Sequence, residues 1–162
     1  LPFTAEFMMF NYTDNNFLVK ENNQGHGAKN RSPVLVGLRV LVVDNDIDTS
    51  NLFCFILETE GAKVIEVASS QAAVLAVQQA CPDVLISDIC LPDEDGYTLL
   101  QKVTAITVAE GKQLPAIAVT GLFTEEDCQK LAFSGFQKHL PKPTDPDELV
   151  TAVVEVIGRS SK

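Results

Sequence analysis

Positive charge is scarce in this chain. Twelve lysines and arginines stand against 22 aspartates and glutamates, a net charge of −10 in 162 residues. The imbalance is local. Residues 1–36 carry three acids and three bases, whereas residues 37–162 carry 19 acids and 9 bases. Such a surface repels phosphate backbones, which argues against direct binding of DNA or RNA. Cysteine is sparse as well. The four cysteines, at 54, 81, 90 and 128, form no C-x-x-C pair, which argues against a thiolate metal site or a disulfide framework. Three lie within or beside apolar runs, so buried free thiols are expected, a usage that suits a reducing cytoplasm. No apolar run reaches about 18 residues, so no segment is expected to span a membrane. The start lacks the basic stretch and small-residue cleavage site of a signal peptide. It also lacks methionine at position 1, with Met8 and Met9 as natural alternatives. Both a stand-alone chain and a fragment of a longer protein are therefore open.

What is present is enough for a packed core. The chain is 46% apolar and fits one domain with some residues left over. Residues 1–36 and 37–160 look like different material. Six asparagines, two glycines and a proline fall between residues 11 and 36 without sustained periodicity, so 1–36 is expected to be a flexible arm or linker. Phe3, Phe7 and Phe10 fall on one face if a helix forms there. That segment is either a leftover of the chain's start or a docking segment that folds on a partner.

From residue 38 onward short apolar runs alternate with helical stretches. Strands are predicted at 38–43, 63–67, 83–87, 115–119 and 135–140, and helices at 47–60, 70–80, 95–110, 124–134 and 146–158. Thr124-Glu125-Glu126-Asp127 offers an N-cap with acids in the first turn. Asp145-Pro146-Asp147-Glu148 places proline at the first helical position. Five βα units in this length predict an α/β fold, a doubly wound parallel sheet with helices on both faces.

The ends of the strands hold the chemistry. Val84-Leu85-Ile86-Ser87 runs into Asp88, Arg39-Val40-Leu41-Val42-Val43 into Asp44-Asn45-Asp46, and Ala116-Ile117-Ala118-Val119 into Thr120-Gly121. The last strand runs into Pro141-Lys142-Pro143. In a parallel sheet these ends share one edge, the edge at which open α/β sheets bind ligands. Two carboxylates, a hydroxyl and an ammonium should therefore converge.

In these ordered pieces, residues 38–160 resemble the receiver domain of two-component response regulators. The segments that carry the likeness are Val42-Val43-Asp44-Asn45-Asp46, Asp88-Ile89-Cys90-Leu91-Pro92-Asp93-Glu94-Asp95-Gly96, and Lys142-Pro143, with Thr120 in the place of the family's switch threonine or serine. The resemblance implies a five-stranded (βα)5 flavodoxin-like fold. It also implies a phosphoacceptor, Asp88, that takes a phosphoryl group from the phosphohistidine of a sensor histidine kinase or a histidine phosphotransfer protein. Such a chain catalyses its own phosphoryl transfer and slow dephosphorylation without being a turnover enzyme.

Elementary electrostatics supports a metal requirement. Two unit charges about 4 Å apart repel by about 4 kcal/mol at an effective dielectric of about 20, so crowded carboxylates can accept an anionic group only beside a cation. Mg2+ takes octahedral oxygen ligands and bridges phosphate to one or two carboxylates. Asp44 and Asp88 would supply those, with the Cys90 backbone carbonyl as a third ligand by resemblance. Lys142 would neutralise one phosphoryl oxygen and Thr120 would donate to another. A hydrogen bond to a charged group is worth about 1.5–3 kcal/mol. Reversing a two-state population from about 1:99 to about 99:1 takes about 5.5 kcal/mol. Thr120 alone therefore cannot throw a switch. Lys142 must contribute, with a side chain on the last strand that changes burial. His139 holds that place, where the family usually has an aromatic, and the bland alternative is a surface histidine.

The chain departs from the family pattern at Asn45, where a second acid usually contacts the metal. Either Asp46 compensates or metal affinity is reduced. Leu91 and Glu94 stand where Met is common. Cys90 and Leu122, two residues beyond Asp88 and Thr120, are poorly suited to hold a hydrolytic water, so a long-lived acyl phosphate is expected, not one with a half-life of seconds.

Three rival readings are weaker. A calcium loop starting at Asp44 needs glycine at its sixth position and glutamate at its twelfth, where Thr49 and Phe55 stand. A haloacid-dehalogenase-type phosphatase would use Asp44 as nucleophile and Asp46 as acid. Asp48 then replaces its usual Thr or Val, and no further acidic pair follows a strand beyond Lys142. A phosphorylation-independent receiver-like binding module is supported by Asn45 only. Output is expected through a partner protein on the last two helices and the strand between them, with no output segment after the receiver. The alternative is the C-terminal receiver of a longer sensor kinase.

Overall fold

The computed structural model describes residues 31–121 and 124–158. The expected arm up to residue 30, with Phe3, Phe7 and Phe10, lies outside them. The chain divides into two units, Leu1–Ser32 and Pro33–Lys162, and the described residues of the second form five strands and five helices in strict alternation. These are β1 (Arg39–Val43), α1 (Ile47–Thr59), β2 (Lys63–Val67), α2 (Ser70–Ala80), β3 (Val84–Asp88), α3 (Gly96–Ala109), β4 (Ala116–Thr120), α4 (Glu125–Phe133), β5 (Lys138–Pro141) and α5 (Pro146–Val156). Packing starts ahead of residue 37. Leu35 is fully buried and its N–H donates to the Glu60 carbonyl at 2.8 Å. Gly61, at φ +92°, passes so close that a Cβ there would sit 2.7 Å from the Val36 side chain.

All strands are parallel, in the order β2-β1-β3-β4-β5, the doubly wound flavodoxin-like arrangement. Alternate residues feed opposite faces, as the pleat requires. Val40, Val42, Ile86, Ile117 and Val119 join Phe53 and Leu57 of α1 and Leu149 and Val153 of α5. Leu41, Val43, Leu85, Ala116 and Ala118 join Ala73 and Val77 of α2, Leu99 and Val103 of α3, and Leu131 of α4. β1, β3 and β4 are covered on both sides, which is why they read as unbroken apolar runs. Among the described residues no helix is long and apolar enough to cross a membrane.

Two expectations need correction. The last strand, predicted at 135–140, is Lys138–Pro141. Gly135 at φ +97° turns the chain out of α4 and Phe136 is buried in the core, so the ladder begins only at Lys138 opposite Ile117. The cysteines are free, but only Cys54 is buried. Cys81, Cys90 and Cys128 are exposed, because each falls where an element ends or on the outer side of a helix.

Candidate functional site

The order of the strands reverses between β1 and β3, and that is where the two aspartates emerge. Val43 pairs with Ser87, so the next residues, Asp44 and Asp88, leave adjacent strands level with each other. Both are buried, at 4% and 8% exposure. Carboxylates so buried demand partners. The partner is Lys142. Its Nζ lies 2.7 Å from Asp44 Oδ2 and 2.9 Å from Asp88 Oδ2, so one ammonium holds both carboxylates to a common point. Burial alone would lower the pKa of Lys142. The hydrogen bonds and charges of Asp44 and Asp88 outweigh burial and hold it above the ordinary lysine value.

Each member is fixed from behind. Asp88 Oδ1 accepts the Cys90 N–H at 3.0 Å, and Ser87 Oγ donates to the Asp88 carbonyl at 2.8 Å. Asp44 Oδ1 accepts the Asp46 N–H at 2.9 Å. Pro141 pairs with Thr120, and the Lys142 N–H donates to the Thr120 carbonyl at 3.0 Å. Thr144 Oγ1 then donates to the Pro141 carbonyl at 2.7 Å, and Asp145 caps α5 by accepting from the N–H groups of Asp147 and Glu148. The lysine thus stands between a strand register and a helix cap. Gly96 lets the loop after β3 close on itself. A Cβ there would meet the Asp88 carbonyl oxygen at 2.7 Å and Ile89 Cα at 3.0 Å.

The expected residues separate into two groups. Asp44, Asp88 and Lys142 are in direct contact, Cys90 touches Asp88 through its N–H, and Thr120 is buried at the end of β4 beside the backbone of Lys142. Asn45 follows Asp44 but is exposed, and His139 is exposed on β5, opposite Ala118 and two residues short of the site edge. Leu122 lies outside the described residues. Asp46 is committed elsewhere: its Oδ1 accepts the Asp48 N–H at 3.2 Å and its Oδ2 the Thr49 hydroxyl at 2.8 Å. It is the N-cap of α1, and its pKa is held low first by the Thr49 hydrogen bond. That position supports neither a catalytic acid nor a substitute metal ligand.

The support of the loop after Asp88 leaves little signal in the sequence. Asp93 accepts from the Ser70 and Gln71 N–H groups, Glu94 from Ser70 and Lys102, and Asp95 caps α3. Only the Asp95 cap has a local signal, Thr98 three residues on. The other partners are too distant in sequence to be read.

The donors suit a hard divalent cation. Among the described residues no group of three or more His, Cys, Asp or Glu side chains could hold a metal ion. An ion here would rest on two carboxylates, neutral oxygens and water, the sparse set that Mg2+ accepts.

Comparison with known proteins agrees with this geometry. The chain matches the response regulator receiver domain over residues 40–154. It is 40% identical over 119 residues to an uncharacterized 14.6 kDa protein in the sodA1 3′ region of Leptolyngbya boryana, covering 74% of this chain and 89% of that one. It is 30% identical over 138 residues to hybrid signal transduction histidine kinase D of Dictyostelium discoideum, covering 82% of this chain but only 9% of the kinase. A solved CheY-like response regulator receiver domain protein from Methanospirillum hungatei JF-1 superposes with a TM-score of 0.68 at 26% identity, covering 76% of this chain and 96% of that one. Receiver domains generally bind Mg2+ and act with histidine kinases and output domains, not as turnover enzymes. Fold, strand-end chemistry and sequence likeness thus agree over the same stretch, and this chain belongs to the response regulator receiver domain family of two-component systems.

Proposed function

We propose that this chain is a working phosphoacceptor in a two-component phosphorelay, with Asp88 as the acceptor. The observation that carries this is the grip of Lys142 on Asp44 and Asp88 together. It keeps two buried carboxylates adjacent and compensated, one as nucleophile and one as cation ligand. An Asp88 oxygen attacks the phosphorus of a phosphohistidine. The O–P bond forms as the N–P bond breaks, and the imidazole leaves with the electron pair and takes up a proton. Lys142 shifts part of its charge to a phosphoryl oxygen, and the Thr120 hydroxyl donates to another. Asp44, Asp88, the Cys90 carbonyl and the amide oxygen of Asn45 would hold Mg2+, which when bound offsets the charge of the incoming group. His139 completes the switch by its place on β5, turning inward as Thr120 moves.

The donor is a histidine kinase or a histidine phosphotransfer protein, and the output is a protein partner. The acidic surface of residues 37–162 disfavours nucleic acid. A cytoplasmic location accords with free cysteines. The test is incorporation of phosphate from acetyl phosphate, with and without Mg2+, into wild type, Asp88→Asn and Asp44→Asn. Hydroxylamine-labile label that needs both Mg2+ and Asp88 is expected. Label that survives Asp88→Asn and vanishes in Asp44→Asn would mean phosphatase-type chemistry instead. A folded wild type that takes no label would leave a phosphorylation-independent module.

A further inference from the structure

Three consecutive acids, Asp93, Glu94 and Asp95, follow the proposed acceptor, and near a cation site they invite a reading as extra metal ligands. Their contacts point elsewhere. Asp93 accepts the N–H groups of Ser70 at 3.0 Å and Gln71 at 2.9 Å, so its carboxylate fills the electropositive first turn of α2. Ser70 is fully buried and donates its hydroxyl to Glu94 Oε1. From α3, Lys102 Nζ reaches both Glu94 oxygens, at 2.9 and 2.8 Å. Asp95 accepts the Thr98 N–H at 2.8 Å. The loop is thus fastened at three successive residues to two helices on the same face of the sheet.

Between this anchorage and Asp88 lies Cys90. It pairs back across the loop with Asp95 in an isolated antiparallel bridge, while the Gly96 N–H donates to the Ile89 carbonyl at 2.8 Å. Where residues 93–96 are held therefore sets the course of the Cys90 backbone.

We propose that Asp93, Glu94, Ser70 and Lys102 form a clamp of positioning residues. It fixes the Cys90 backbone so that its N–H meets Asp88 and its carbonyl is presented to Mg2+. This rests on the proposed phosphoacceptor function and adds to it four side chains that act through the loop. Groups that orient metal ligands from behind typically alter affinity by about 10–100-fold when removed.

Lys102→Ala gives the sharpest test, because the two mechanisms predict opposite signs. Simple loss of a positive charge near the site would tighten cation binding. Loss of the clamp weakens it. Calorimetric titration of the full, unphosphorylated chain with Mg2+ should show about tenfold weaker binding in Lys102→Ala and in Asp93→Ala. Lys102→Arg, which keeps the two-pronged contact with Glu94, should restore affinity. Lys102 is half exposed, so its variants retain the fold even if Asp93→Ala melts early, and thermal unfolding followed in parallel separates the effects. A lowered Tm with wild-type Mg2+ affinity, or tighter binding in Lys102→Ala, overturns the clamp while leaving the phosphoacceptor reading standing. A wild type that binds no Mg2+ overturns both.

Discussion

Lys142 decides the charge balance of the site. It compensates two buried carboxylates and competes with any divalent cation for the same oxygens. A unit charge about 4 Å away is worth about 1–4 kcal/mol between water-like and protein-like dielectrics. Lys142→Ala should therefore bind Mg2+ more tightly than wild type, by about tenfold (about 1.4 kcal/mol), yet incorporate phosphate more slowly because the phosphoryl oxygen loses its ammonium. Asn45→Asp should also tighten Mg2+ binding by adding a charge beside Asp44, without that loss. Calorimetry beside label incorporation checks both, and unchanged affinities would contradict this balance. The raised pKa of Lys142 sets its own pH window. The stability it contributes is complete below the ordinary lysine value and is lost as pH climbs through the higher folded value.

At the scale of elements, α1 separates a helix-capping carboxylate, Asp46, from the buried pair held by Lys142. Asp46 caps this helix with both oxygens, so Asp46→Ala should lower the midpoint of chemical denaturation. Label incorporation should remain, whereas a phosphatase-type acid at this position would abolish it. In its last turn, α1 sets Glu58 against Glu66 of β2. Burial, then repulsion from Glu66, raises the Glu58 pKa, and Cys54, its thiol pushed up by burial, donates to Glu66 Oε2 at 3.2 Å. An acid with a raised folded pKa costs stability when ionised. Glu58→Gln should therefore stabilise the fold at pH 7, by about 0.5 kcal/mol given its partial exposure. That gain should disappear as pH falls below the ordinary glutamate value, and a gain that persists in acid would contradict it. The elements were legible where composition and period agreed: β2 and α2 stand at the predicted residues, and Asp44, Asp88 and Lys142 meet because parallel strands share an edge. What was not legible depends on side-chain direction or distant pairing. An apolar run around Cys90 does not reveal that its own position turns outward, and nothing local joins Glu94 to Ser70, 24 residues away.

For the whole molecule, the fold brings Asp44, Asp88 and Lys142 together at one edge of the sheet. Both sides of β1, β3 and β4 are sealed by helices, so the aspartates emerge from a rigid sheet at the point where strand order reverses. The excess of acids over bases in residues 37–162 adds a field that favours divalent cations there and disfavours polyanions. The carboxylate that accepts the phosphoryl group separates a receiver from its rivals. The direct measurement is borohydride reduction after treatment with acetyl phosphate and Mg2+, followed by peptide mapping, because only an acyl phosphate is reduced to the alcohol. Conversion of Asp88 to homoserine, and only when Mg2+ is present, is the predicted result. Conversion at Asp44, or none in a folded wild-type chain, would contradict it.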